Sequence, residues 1–145
     1  MEDYIGPYVW HQYKIVILPD SFPFGGMEHP LLTFASPIII VGDKEKSGVG
    51  TAVHEIAHSW VGNMVTGKDW SNMWIMEGFC RFVERKCYET VRSKDYATIE
   101  RINGKDGLTT AIASFTKPED HSFKSLHPYT ENRNPDDATS VLNIK

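Results

Sequence analysis

Cysteine is nearly absent: the chain of 145 residues has two, Cys80 and Cys87. Seven positions apart on one predicted helix, they are separated by about 10 Å along its axis, too far for a disulfide. A reducing setting, the cytoplasm, is therefore expected. Long apolar runs are missing too. None approaches the roughly 18–20 residues that cross a bilayer, and the acidic start Met1-Glu2-Asp3-Tyr4 has no apolar signal core. The net charge is -4 with no basic run, so neither nucleic acid nor a membrane surface is expected as a partner. Arg81, Arg85, Lys86 and Arg92 do lie close together, but Glu84 and Glu89 interleave with them, the pattern of a solvated helix face. There are no internal repeats and no low-complexity tract.

What is present belongs to a folded domain: 41% apolar residues and four tryptophans, enough for one domain with a core. Tyr4–Trp10 reads as an aromatic loop around Gly6-Pro7. Tyr13–Pro19 reads as a β-branched strand stopped by proline, and Asp20–Gly26 as an irregular turn. Leu31–Phe34 and Ile38–Val41 read as strand pieces around Pro37, which belongs at an edge or bulge. After a polar loop, Gly42–Gly48, two helices are predicted. The first spans about Val49–Met64. The second starts at Ser71 or Asn72, both good N-caps, runs to about Val91, and turns Ile75, Phe79, Phe82, Val83 and Cys87 to the core. Tyr96–Ile102 and Leu108–Phe115 look helical, interrupted by Asn103–Gly107, and Thr116–Asp137 reads as a polar surface excursion. A strand layer followed by helices gives the class α+β. It is organised as one domain: strands in 1–48, a helix pair in 49–91, and a helical and irregular tail in 92–145.

The first helix of the pair carries His54-Glu55-Ile56-Ala57-His58. Residues four apart share a helix face, so His54 and His58 can direct two imidazoles at one metal ion. Glu55, offset by about 100° from His54, stands beside such an ion without being a ligand. An isolated H-E-x-x-H also occurs in helices that bind nothing. Here Val49, Val53, Ile56, Ala57, Trp60 and Met64 form an apolar stripe with the histidines at its border. Eighteen residues separate His58 from Glu77 on the second helix. Three protein ligands with one open position are what a catalytic zinc site needs. The rival role for Glu77 is a carboxylate favoured by a helix N-terminus. Glu84, seven residues on, is either a partner behind a zinc histidine or half of a surface salt bridge.

The run His54-Glu-Ile-Ala-His-Ser-Trp-Val-Gly-Asn63, the gap to Glu77-Gly78-Phe79, and Gly25-Gly26-Met27-Glu28-His29-Pro30 together resemble the gluzincin aminopeptidases, whose exopeptidase motif is G-x-M-E-N. The lead-in Ser21–Gly26 looks most like the branch containing leukotriene A4 hydrolase and aminopeptidase B. The resemblance implies a thermolysin-like zinc metallopeptidase fold of which only part is present, the family's N- and C-terminal domains being absent. It implies one zinc ion per chain on His54, His58 and Glu77, with Glu55 as general base. It implies that Gly25, Gly26 and Met27 pair with an extended peptide, and that Glu28 binds the substrate's free α-ammonium. Three departures stand out. His29 replaces the motif's Asn, Met76 replaces the Asn before the ligand Glu, and Asn143 stands where the family has a tyrosine that donates to the oxyanion. Asp136 resembles an acidic residue that contributes to substrate choice in the leukotriene hydrolase branch, and is equally an ordinary turn residue.

The leading expectation is a zinc aminopeptidase acting on peptides with a free N-terminus. A zinc-binding but catalytically weak fragment or pseudoenzyme, holding peptides or a partner chain, is the alternative that Asn143 favours, since loss of an oxyanion donor costs roughly 10²–10³ in kcat. An endopeptidase, which Glu28 argues against, and a leukotriene A4 hydrolase-like epoxide hydrolase complete the alternatives.

Overall fold

The computed structural model describes residues 1–41, 48–116 and 125–126, which fall into two compact units, Met1–Thr66 and Gly67–Lys145. The first unit opens with α1 (Glu2–Ile5), a single turn closed by Gly6 at φ 109, where the sequence reads as loop. Its Glu2 carboxylate accepts the Tyr8 backbone N–H at 2.8 Å. Three strands follow: β1 (Lys14–Ile17), β2 (Gly26–Met27) and β3 (Leu32–Ala35), in spatial order β1-β3-β2. β1 runs parallel to β3, with Lys14 opposite Leu32 and Ile17 opposite Ala35. β2 is antiparallel to β3, pairing Gly26 with Ala35 and Met27 with Phe34. Among the described residues, β2 is thus an edge strand. Thr33 and Ala35 of β3 alternate inward and are fully buried, the period-two pattern of a half-buried strand.

Ile38–Val41 is not a strand piece but a helical turn, α2. Pro37 accounts for this. Its ring presets a helix start and it lacks only an N–H that a first turn leaves unused. Ile39 N and Ile40 N donate to the carbonyls of Ser36 and Pro37 at 3.1 and 2.9 Å. A β-branched run alone does not separate short helix from strand.

α3 spans Val49–Ala57, seven residues shorter than the expected span to Met64. It stops because Gly62 takes φ 122 and the chain folds back on itself. Asn63 N donates to His58 O (3.0 Å), Val65 N to Trp60 O (3.1 Å) and Gly62 N to Val65 O (2.9 Å). Of the predicted stripe, Val53, Ala57 and Trp60 are buried while Val49 and Met64 are exposed. Trp60 anchors the turn: its Nε1–H donates to Gly6 O at 3.0 Å, and Tyr8 packs edge-on against its ring at 5.5 Å.

In the second unit, a 3-10 turn (Trp70–Asn72) leads into α4 (Met73–Val91). Asn72 is the N-cap residue of α4, as expected, though its side chain makes no capping bond; the 3-10 turn before it is capped by Asp69, whose carboxylate accepts from Ser71 N at 3.0 Å. The predicted core face is corrected in part. Ile75, Phe79 and Phe82 are exposed; Glu77, Cys80, Val83, Glu84 and Tyr88 are buried, and Cys87 is half-buried. At 100° per residue the exposed trio lies nearly opposite the Glu77–Glu84–Tyr88 line. The polar face turns inward because it satisfies itself: Tyr88 donates to Glu84 Oε1 at 2.6 Å and Arg81 Nη1 to Glu84 Oε2 at 2.8 Å.

α5 (Lys94–Ser114) is one helix, uninterrupted by the expected break at Asn103–Gly107. Ser93 caps it, accepting from Tyr96 N at 3.0 Å. Packing against α4 outweighs the glycine penalty of about 1 kcal/mol each: Ala97 is fully buried, Tyr96 meets Tyr88 edge-on at 5.2 Å, and the Arg85 guanidinium occupies the space a side chain at Gly104 would need. Of the expected excursion Thr116–Asp137, all but 116 and 125–126 lies outside the described residues.

Candidate active site

α3 presents His54 and Glu55, and His58 stands one turn beyond His54 as the C-cap residue; all three side chains are buried. The two imidazoles meet edge to face, Nε2 to Nε2 at 3.1 Å. His58 Nδ1 lies 2.9 Å from the Val61 carbonyl. A carbonyl can only accept, so Nδ1 carries the proton and, in the neutral ring, Nε2 presents its lone pair. That orientation depends on the early end of α3, because Val61 belongs to the turn and not to the helix. Gly62 completes the seat: a side-chain carbon there would stand 3.1 Å from His58 Nδ1.

The same turn reaches the sheet. Asn63 Nδ2 donates to the Glu28 carbonyl at 2.7 Å, just past β2. Glu28 Oε1 stands 3.9 Å from His58 Nδ1, and one ligand atom each of Glu28, Glu55 and His58 lie within 4.8 Å of one another. Two carboxylates and two imidazoles converging in a buried setting make a site suited to cations, whether a metal ion or an ammonium group.

Glu55 lies against β2. A side-chain carbon on Gly26 would fall 2.5 Å from Glu55 Oε1, whereas one on Gly25 would meet only Thr51, at 3.7 Å. Tyr13 adds a further group: its hydroxyl shares a 2.5 Å hydrogen bond with Thr33 Oγ1. Burial, then the negative charge of Glu55, push the phenol up to about 12 despite the hydrogen bond to Thr33. Met27 pairs with Phe34 in the sheet, and His29, in the place of the motif's Asn, is exposed with its ring against Phe34 at 4.2 Å.

The first unit therefore brings together Gly26, Glu28, His54, Glu55 and His58. Glu77 is on α4 in the second unit, buried, with Arg81 one turn on. Burial opposes the Arg81 charge, but Glu84 and, more weakly, Glu77 leave its pKa raised. Glu84 is not part of a surface pair: it is buried, with Arg81 and Tyr88 bonded to it. The Met76 thioether accepts the Gly67 N–H at 3.1 Å, a bond an amide could also make. Asp136 and Asn143 lie outside the described residues. Sequence reasoning missed Tyr13, Thr33, the clamp by Asn63 and the Arg81–Glu84–Tyr88 network. Of these only Asn63 had a signal, the Gly62-Asn63 pair, which marks a helix end.

Residues 1–143 match the model of the peptidase family M1 domain. Among curated proteins the chain is 39% identical over 142 residues to "Leucine aminopeptidase 2" of Emericella nidulans, covering 98% of this chain and 22% of that protein. It is 40% identical over 142 residues to "Leukotriene A-4 hydrolase homolog" of Botryotinia fuckeliana, covering 98% and 21%. Among solved structures, yeast LTA4 hydrolase in complex with bestatin superposes with a TM-score of 0.86 at 34% identity, over 99% of this chain and 22% of that one. The chain spans about a fifth of the length of the curated relatives it matches.

Proposed function

The chain belongs to peptidase family M1, and from that premise we propose that it is part of a zinc aminopeptidase of thermolysin-like fold, removing single residues from peptides with a free N-terminus. The observation that carries the reading is the placement of Glu28, the exopeptidase carboxylate, within 4.8 Å of Glu55 and His58. An amine anchor beside a general base and a histidine ligand is what distinguishes an aminopeptidase from an endopeptidase.

The residues present fit zinc. Two nitrogens on one tetrahedral zinc stand about 3.3 Å apart, and His54 and His58 Nε2 are 3.1 Å apart, with the His58 tautomer set for ligation by Val61. His54 and His58 would hold the ion with Glu77, the third ligand by motif spacing and family resemblance. When bound, zinc polarises the scissile carbonyl and lowers the pKa of water towards ~7.

The chain's own residues do the rest. Glu55 takes a proton from the attacking water and passes it to the departing amine nitrogen. Glu28 holds the substrate ammonium by a charge-assisted hydrogen bond. The edge of β2, with Gly25, Gly26 and Met27, accepts an extended peptide as an added strand. The peptide is the partner of the reading, with domains from the remaining length of the relatives completing the cleft. A cytoplasmic setting agrees with both cysteines being thiols. A second reading, zinc and peptide binding without turnover, is favoured by Asn143 in the place of the family tyrosine.

Elemental analysis of purified, monodisperse chain, beside His58→Ala, tests the metal. About one zinc per chain, lost in the variant, is the expected result; none in either defeats the zinc site. Cleavage of peptides with free but not acetylated N-termini then supports the aminopeptidase. Equal cleavage of both refutes the role of Glu28, and stoichiometric zinc without turnover selects the second reading.

A further inference from the structure

We propose that Trp10 is a positioning residue for His58: its indole captures the Ser59 carbonyl and so keeps α3 from running on through the turn that aims the imidazole. The inference rests on the assignment of His58 as a zinc ligand, and it gives a part to a residue far from the motif. Trp10 Nε1–H donates to Ser59 O at 2.8 Å, across 49 positions of sequence. In a helix continuing to Met64, as the apolar stripe predicts, Ser59 O would accept from Asn63 N and Val61 O from Val65 N. Val61 O would then be occupied by the backbone, and His58 Nδ1 would lose its partner. In the turn, Asn63 N donates instead to His58 O and Val65 N to Trp60 O, at 3.0 and 3.1 Å. The two carbonyls meet side chains: Ser59 O meets Trp10, and Val61 O meets the His58 ring.

A helix that stops early leaves its last carbonyls without backbone donors, and a side chain can supply them. Trp10 is suited to this because its own segment is fixed. The Trp60 indole, from the turn, donates back to Gly6 O at 3.0 Å, so the two tryptophans tie the segment to the turn in opposite directions. Tyr8, between them in sequence, packs edge-on against Trp60 at 5.5 Å. Directly after Trp10, His11 is held at φ 63, and Gln12 N closes onto Trp10 O at 2.7 Å. A residue with a side chain is uncommon in that left-handed conformation and costs free energy there. The fold sustains the strain where the indole is aimed.

The test follows His58 itself. In the metal-free full chain at about pH 8, where an ordinary histidine is neutral, hydrogen exchange of the His58 Nδ1 proton is measured by NMR in wild type, Trp10→Phe and Ser93→Ala. Trp10→Phe keeps an aromatic ring and loses the donor. Ser93→Ala loses the cap of α5 and serves as a variant weakened elsewhere. Both should melt roughly 3–5 °C lower. Only Trp10→Phe should speed exchange of the His58 proton, about five-fold, and weaken zinc binding in chelator competition by a similar factor, the loss of one hydrogen bond. Exchange and zinc affinity unchanged in Trp10→Phe overturn the proposal. So does an equal effect from Ser93→Ala, which would mean general loosening. If Trp10→Phe does not fold, His58→Ala decides, because coupling between two sites is reciprocal. Loss of the ring should speed exchange of the Trp10 indole proton about five-fold, and an unchanged indole proton refutes the coupling. A wild type that binds no zinc defeats the zinc reading, while the exchange of the His58 proton still decides the role of Trp10.

Discussion

Gly62→Ala is the sharpest probe of the turn that follows α3. The residue sits at φ 122, a conformation that costs a residue with a side chain about 1–3 kcal/mol. Its new carbon would also stand 3.1 Å from His58 Nδ1 and 3.8 Å from His58 O, so the ring or the turn gives by a few tenths of an ångström. Both costs fall on the hydrogen bond between His58 Nδ1 and the Val61 carbonyl, 2.9 Å long. In a chain of this size, that strain lowers the melting temperature by roughly 3–10 °C. Disturbing the partner behind a metal-binding histidine typically weakens metal affinity 10–100-fold. Thermal unfolding followed with and without added zinc, together with competition against a chromophoric chelator, measures both effects. Gly107→Ala is the control: it lies inside α5, meets open space, and should gain up to about 1 kcal/mol from helix propensity. A Gly62→Ala protein that melts and binds zinc like wild type would refute the reasoning.

Glu84→Ala removes the acceptor of both Tyr88 and Arg81 and should cost roughly 2–4 kcal/mol in urea unfolding, allowing for the partial exposure of Arg81. Tyr88→Phe, which loses one bond, should cost about 1–2 kcal/mol, and the opposite ranking would contradict the network. Tyr13 is held protonated in the fold up to about 12, above the unfolded value of about 10. Between those values the native state binds the proton and the unfolded chain does not, so stability is complete below pH ~10 and declines towards pH ~12. Denaturation midpoints at pH 9 and 11 should differ less in Tyr13→Phe, and an equal pH slope would count against the burial of the phenol. Asn63→Ala frees the Glu28 carbonyl; losing a bond of about 1 kcal/mol should raise KM for free-amine peptides about five-fold, and an unchanged KM would argue against the clamp.

Much of the site was legible because it is local. Helical spacing alone puts His54 and His58 on one face with Glu55 beside them, β1 follows from a β-branched run ended by Pro19, and the core of β3 from the short apolar run Leu31–Phe34. The failures have separate causes. Ile38–Val41 was misread because four β-branched residues carry no period, and Pro37 decides their state. α5 was split at two glycines whose local penalty is outweighed by packing on α4. On α4 the expectation holds for Val83 and fails for Ile75, Phe79 and Phe82, because apolar periodicity assumes that charge faces water, whereas Glu84, Arg81 and Tyr88 satisfy one another on the buried side.

The sequence by itself determined which residues are chemically equipped for metal and proton transfer, since residue type and a spacing of four on a helix need nothing beyond backbone geometry. Tertiary structure alone decided how those groups are aimed. The His58 tautomer depends on where α3 ends, Glu28 is clamped by Asn63 of the following turn, and Glu55 rests in a gap left by Gly26 on another element. Such orientations are set by contacts between residues distant along the chain, which neither propensity nor periodicity encodes.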